Sequence, residues 1–158
     1  MADDTVSAAL KKAQYSLIVV GSRSAEGEPN GMTANWMSQV SFDPRIVAVA
    51  VQAGAVTRAN IDATGVFSVS ILGEGTKDLA LKFTKKSQHG PDRLEGEPVS
   101  TFETGTPVLD QAVAWFECRV VEKVEPGDHV VFFGEVIGGD VREGDATTLA
   151  RTGMSYAG

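Results

Sequence analysis

The residues best suited to chemistry are uncharged hydrogen-bonding side chains gathered in one stretch, residues 31–44 (GMTANWMSQVSFDP). At the two-residue period of a strand, Met32, Ala34, Trp36, Ser38 and Val40 face one way, and Thr33, Asn35, Met37, Gln39 and Ser41 the other. One face is mostly apolar while the other carries hydroxyls and amides. The segment that follows, residues 45–51 (RIVAVAV), is nearly all apolar and reads as a buried strand. Uncharged donors and acceptors beside such a strand suit a polar ring or a sugar-phosphate chain; an edge strand with one wet face has the same pattern.

A second group suits an anion. Ala53 to Val56, followed by Thr57, places backbone N–H groups and a hydroxyl at a predicted helix start, a natural seat for phosphate; a plain N-cap has the same residues. Arg58 stands beside it. Lys82, Lys85 and Lys86 form the densest basic cluster in the chain, and a solvated helix face would look the same. His129, directly after Pro126-Gly127-Asp128, can sit at the mouth of a barrel and offer a donor or a stacking ring, or be an ordinary surface histidine. Trp36 could stack on a ligand or belong to the core.

Catalytic signatures are missing: there is no G-x-S-x-G, H-E-x-x-H, C-x-x-C or P-loop. With two histidines and one cysteine, a metal site would rest mainly on carboxylates. Cys118 lies mid-strand among apolar neighbours, where a thiol acts as a small hydrophobe. An enzyme with so little acid, base or nucleophile of its own borrows reactivity from a cofactor. The net charge of −7 argues against nucleic acid or an anionic membrane as partner. No apolar run reaches about 18 residues, the length of a membrane span, and the acidic start MADDTVSAALKK lacks the order of a signal peptide. The expectation is a cytoplasmic protein whose 158 residues form one domain.

These residues need elements to position them. A short amphipathic helix is expected over residues 4–14 and a buried strand over 15–20. A turn at 24–31, ending in Asn30-Gly31, should fold that strand back on one over 32–41 as a hairpin. A strand at 45–52 precedes a helix capped by Thr57 and stopped by Gly65. A strand at 66–72 follows, then a helical stretch over 73–86 with Thr76 as cap and Leu79, Ala80 and Phe83 on one stripe. Residues 87–98 read as a polar loop and 99–102 as a short strand. A long hairpin pairs 112–124, with Ala114, Phe116, Cys118 and Val120 on one face, against 129–136. Residues 138–144 read as turn, and 149–158 carry no assignment. Strands linked by turns rather than crossover helices make the chain mainly β, an antiparallel barrel with a few short flanking helices.

Taken together, GMTANWMSQVSFDP followed by IVAVAV, then VTRANIDATGVFSVSIL and GDHVVFFGEV, resemble the flavin reductase-like family of FMN-binding split barrels. The stretch from Lys82 through PDRLEGEP and GTPVLDQAVAWFECRVVEKVEPGDH is also similar to the flavin reductase-like module of cyanobacterial flavodiiron proteins. The resemblance implies a Greek-key split barrel that forms a homodimer, with FMN as cofactor and NAD(P)H or a protein as electron donor. It implies that Thr33, Ala34, Asn35, Trp36 and Gln39 lie along the ribityl chain and ring, and that the segment beginning at Ala53 lies by the phosphate. Thr57 and one or more of Arg58, Lys82, Lys85 and Lys86 would hold that phosphate. His129 would position a nicotinamide rather than act as a base. Arg45 replaces a proline common in relatives, and Asn35-Trp36 replaces serine or serine-phenylalanine. A flavoredoxin-like carrier without a nicotinamide site, or a split barrel without flavin, are the rival readings.

Overall fold

The structure is a computed structural model and describes residues 2–156. In chain order the elements are α1 (Ala2–Leu10), β1 (Ile18–Arg23), β2 (Pro29–Ala34), β3 (Met37–Phe42), β4 (Arg45–Gln52), α2 (Val56–Thr64), β5 (Val66–Ile71), α3 (Lys77–Lys82), β6 (His89–Gly90), β7 (Arg93–Leu94), β8 (Glu97–Ser100), β9 (Val108–Leu109), β10 (Ala114–Val124) and β11 (His129–Val141). A 3-10 turn at Ala150–Thr152 follows.

Seven strands form one antiparallel sheet in the order β2-β1-β5-β10-β11-β4-β3. The outermost strands, β2 and β3, are consecutive in the chain and joined only by Asn35 and Trp36. Two extended residues reach about 7 Å, so the two edges must meet there. At that corner the Ala50 N–H donates to the Trp36 carbonyl at 2.9 Å, and Met37 pairs with Val49. The sheet is thus rolled into a barrel, which leaves few unpaired edges.

Burial explains the strand sequences. On β1, Ile18 and Val20 join the barrel interior with Val47, Val49, Val51, Phe67, Val69, Cys118 and Phe132. The alternate residues Leu17 and Val19 join a second core with Leu72, Leu79, Ala80, Phe83, Leu94 and Leu109. A strand buried on both faces reads as a continuous apolar run, as LIVV does. Gly134 is required by the barrel interior: a Cβ there would stand 2.6 Å from both Cys118 Cβ and Phe67 Cζ.

The β1–β2 hairpin forms, Ile18 opposite Ala34 and Arg23 opposite Pro29, and β4 has the expected bounds. The helix expected over 4–14 ends at Leu10 and that over 73–86 is only Lys77–Lys82, and four further expectations need correction. The single strand over 32–41 is two strands on opposite edges of the sheet, because the chain turns the barrel corner at Asn35–Trp36. The polar loop at 87–98 holds β6, β7 and the start of β8, which with β9 make a small second sheet. The turn at 138–144 is delayed, since β11 runs on to Val141 opposite Ala114. Finally, α2 begins two residues early with Ala55 as N-cap and no side-chain cap bond, so Thr57 lies inside the first turn. Gly65 does stop α2, in the left-handed conformation at φ 69°.

Candidate functional site

A cleft of about 550 Å³ opens where the barrel corner, the start of α2 and the segment after α3 converge. One wall is the end of β2 with Asn35 and Trp36; Ala50 and Gln52 of β4 and the first residue of β11, His129, form another. Gly54 to Thr57 close one end, Thr84 to Lys86 flank it, and Met154 to Tyr156 cover the side nearest Trp36.

A buried polar network ties these pieces together. Asn30 Nδ2 donates to Thr57 Oγ1 at 3.2 Å, and Asn30 Oδ1 accepts from the Ser87 N–H at 2.9 Å. Ser87 Oγ accepts from the Gly31 N–H at 3.0 Å and donates to the Gly31 carbonyl at 2.9 Å. Strand β2, the first turn of α2 and the lysine segment are thereby held in one arrangement. Because the Thr57 oxygen is the acceptor for Asn30, its own O–H remains available as a donor. The first N–H groups of α2 have no carbonyl partners inside the helix and carry the positive end of its dipole.

Asn35 is the electrostatic anomaly of the site. Its Nδ2 is buried with no hydrogen-bond partner, the only such side-chain atom among the described residues. An unsatisfied buried donor costs about 1–3 kcal/mol, and the residue that carries it borders the cleft.

The residues singled out by sequence divide into two groups. Thr33, Ala34, Asn35, Trp36, Thr57, Lys85, Lys86 and His129 all border the cleft. Thr33 has a second duty, since its hydroxyl donates to the Ala80 carbonyl at 2.5 Å and its N–H to the Phe83 carbonyl at 2.9 Å. Gln39, Ala53, Arg58 and Lys82 are not among the bordering residues. Gln39 is exposed on β3 and donates to the Ser41 carbonyl. Ala53 donates its N–H to the Asp128 carbonyl at 2.9 Å, which fastens the β10–β11 turn beside the cleft. Arg58 is held by Asp62 and Glu125, each at 2.6 Å, and Lys82 by Glu97 at 2.5 Å. Lys123, and then Arg58, hold the Asp62 carboxyl below its ordinary range; Lys82, followed by Gln111, does the same for Glu97. Neither Lys85 nor Lys86 makes an ion pair among the described residues, so their charge faces no carboxylate.

The mouth of the cleft is aromatic. The Trp36 ring lies 4.8 Å from that of His129 and 5.1 Å from that of Tyr156. His129 Nδ1 meets Asp128 Oδ1 at 2.6 Å, and His129 Nε2 meets the Tyr156 hydroxyl at 2.9 Å. The bond to His129 keeps the Asp128 carboxyl below its usual value, while partial burial, helped by Asp128, raises the Tyr156 phenol. Sequence reasoning missed Asn30, Ser87 and Tyr156. Asn30 was legible only as a turn residue, and no periodicity marks the segment that holds Tyr156. Cys118 is fully buried, and desolvation pushes its thiol up to about 12, which leaves it unreactive. Among the described residues no three histidine, cysteine or carboxylate side chains gather as a metal site, and no helix is long and apolar enough to cross a membrane.

The model of the flavin reductase like domain matches residues 10–157. The NADH-dependent FAD reductase of Streptomyces globisporus is 37% identical over 134 residues, which cover 83% of this chain and 70% of that one. The stachydrine N-demethylase reductase subunit Stc3 of Rhizobium meliloti (strain 1021) is 33% identical over 121 residues, 77% of this chain. The present chain spans only 51% of that relative's length. Among solved structures, the flavin reductase PheA2 in its native state superposes with a TM-score of 0.79 at 28% identity, covering 92% of each chain.

Proposed function

We propose that this chain, which belongs to the flavin reductase-like domain family, is an FMN-binding oxidoreductase that takes reducing equivalents from NAD(P)H and passes them to an external acceptor. The observation that carries the reading is the buried, unpartnered Nδ2 of Asn35 on the wall of a cleft whose far end gathers the start of α2, Thr57 and two unpaired lysines. A flavin mononucleotide has carbonyl and hydroxyl oxygens to accept from Asn35 and a terminal phosphate for the far end, so the residues fit the group.

When bound, the flavin supplies the two-electron redox chemistry. The protein does the rest. Thr57 O–H, the first-turn N–H groups of α2, and Lys85 and Lys86 bind the phosphate. Asn35 donates to a flavin oxygen, with Thr33 and Ala34 beside it shaping the wall. Asn30 and Ser87 orient the phosphate groups without touching them. Trp36 and His129 bound the open face where a nicotinamide enters, and His129 orients that ring without taking a proton. Arg58 and Lys82, already neutralised by carboxylates, take no part in phosphate binding; Gln39 takes none in ring binding. The whole chain acts as one flavin reductase-like unit.

The protein works as a homodimer. Ile46, Ala48 and Ala50 alternate with the core residues of β4, and Val131 and Phe133 stand opposite Ala50 and Ala48 on β11. They make an apolar outer face that the barrel only half covers. Val40 extends it on β3, two residues along from Ser38, which stands opposite Ala48, and is 52% exposed. A second copy would bury such a patch.

The test is oxidation of NADH and NADPH by purified protein with added FMN. The reading requires turnover well above the free-flavin background with at least one nucleotide. A protein that binds FMN but is reduced only by dithionite would be a carrier, and the nicotinamide part of the proposal would fall.

A further inference from the structure

The third ring at the mouth of the cleft, Tyr156, ends a segment that Leu149 and Met154 pack against the second core and that Arg151 ties to Glu74. After β11 the chain rejoins the barrel through the Ser16–Thr148 bridge and a bond from the Leu149 N–H to the Tyr15 carbonyl. It then turns through Ala150–Thr152 and reverses at Gly153, φ 74°, a conformation that suits glycine. The Met154 N–H donates to Thr152 Oγ1. Beyond that, the next hydrogen bond is the one from Tyr156 to His129. The Tyr156 side is 44% exposed, so water could satisfy its hydroxyl; it meets the imidazole instead.

The imidazole is therefore gripped at both nitrogens. An ionised Asp128 can only accept, so Nδ1 carries the hydrogen on that side. The lone pair of Nε2 then faces the Tyr156 hydroxyl, which donates to it. A histidine held at both ends has one tautomer and one ring plane, here tilted 51° to Trp36.

We propose that Tyr156 is a positioning residue: it donates to Nε2 of an imidazole whose Nδ1–H tautomer Asp128 sets, so fixing the ring plane, and forms, with Trp36, the third side of a corner that receives the flat ring of the electron donor. The second half of this rests on the reductase reading above; the tautomer does not. Asp128 and Tyr156 are the groups bonded to the ring nitrogens, and removal of either partner has a distinct signature. Tyr156→Phe keeps the ring and deletes only the donor. Asp128→Asn replaces an obligate acceptor with a group that can also donate, which lets Nε2 carry the hydrogen.

The experiment is long-range proton–nitrogen NMR of the flavin-free protein labelled with ¹⁵N-histidine, at alkaline pH where imidazole is neutral. A His89→Gln variant assigns the two histidines. Wild type should show His129 as a single Nδ1–H tautomer, Tyr156→Phe the same tautomer with its Nε2 resonance shifted downfield by loss of the donated bond, and Asp128→Asn a shift toward Nε2–H. In parallel, Tyr156→Phe should raise KM for the reduced nicotinamide about two- to tenfold, the worth of one hydrogen bond, with kcat and FMN affinity changed less than about twofold. A wild-type Nε2–H tautomer, or an unshifted Nε2 resonance in Tyr156→Phe, overturns the bond. A shifted Nε2 with unchanged KM overturns the donor-positioning role. If wild type oxidises no reduced nicotinamide, the reductase reading fails, and the spectra still decide the tautomer.

Discussion

At the scale of single residues the site is defined by what is left unsatisfied. Asn35 leaves a donor buried without an acceptor, and Lys85 and Lys86 leave charge without a counter-ion, whereas Arg58 and Lys82 are already spoken for. Asn35→Leu should therefore leave the flavin-free protein as stable as wild type or stabilise it by up to about 1–3 kcal/mol, the penalty being removed. The same change should weaken FMN binding about tenfold, the worth of one charge-free hydrogen bond at the upper end of its range. Thermal melts with and without FMN check both arms. Residue type and spacing made Thr57, His129 and the two lysines legible in the sequence. They could not separate Lys82 from Lys85 and Lys86, because what silences Lys82 is Glu97 on β8. Nor could they separate Arg58 from the true anion groups, because Glu125 reaches it from the turn between β10 and β11.

At the scale of elements, helix α2 is clasped to the long hairpin by Asp62, which pairs with both Lys123 and Arg58. The Asp62 carboxyl is held below its ordinary 3.8, and Glu97 below its ordinary 4.5. A depressed carboxyl stabilises the fold above its unfolded value, and that contribution is lost as pH falls through the folded value. Stability should thus be insensitive to these two groups above about pH 5 and decline below about pH 4. Asp62→Asn should cost about 0.2–1 kcal/mol near neutrality, a modest figure because the pair is partly exposed. Its difference from wild type should shrink toward zero in denaturant melts near pH 3; a gap that stays constant with pH would mean the clasp is not electrostatic. Strands whose burial is uniform or strictly alternating, such as β4 and β5, were legible from pattern alone. Residues 32–41 were not, because alternation of polar and apolar side chains continues through the corner at Asn35–Trp36 while the backbone changes partner. The small sheet of β6 to β9 was legible only as a short strand at 99–102, for a different reason: its strands are two to four residues long, too short for any period to show.

For the whole molecule, the barrel places its apolar surplus on one outer face. Val40→Asp puts a charge on that face, at a half-exposed position, without touching the core. It should shift the protein from dimer toward monomer in light scattering at micromolar concentration, with the circular dichroism spectrum unchanged. A wild type already monomeric would remove the dimer from the account. The central claim, though, is that the cleft holds a flavin by its phosphate, and calorimetric titration of the flavin-free protein with FMN and with riboflavin tests it most directly. The account predicts that FMN binds about ten- to a hundredfold more tightly, the worth of one to two charge-assisted hydrogen bonds, and that Lys85→Ala/Lys86→Ala narrows the gap. Equal affinities for the two flavins would contradict it.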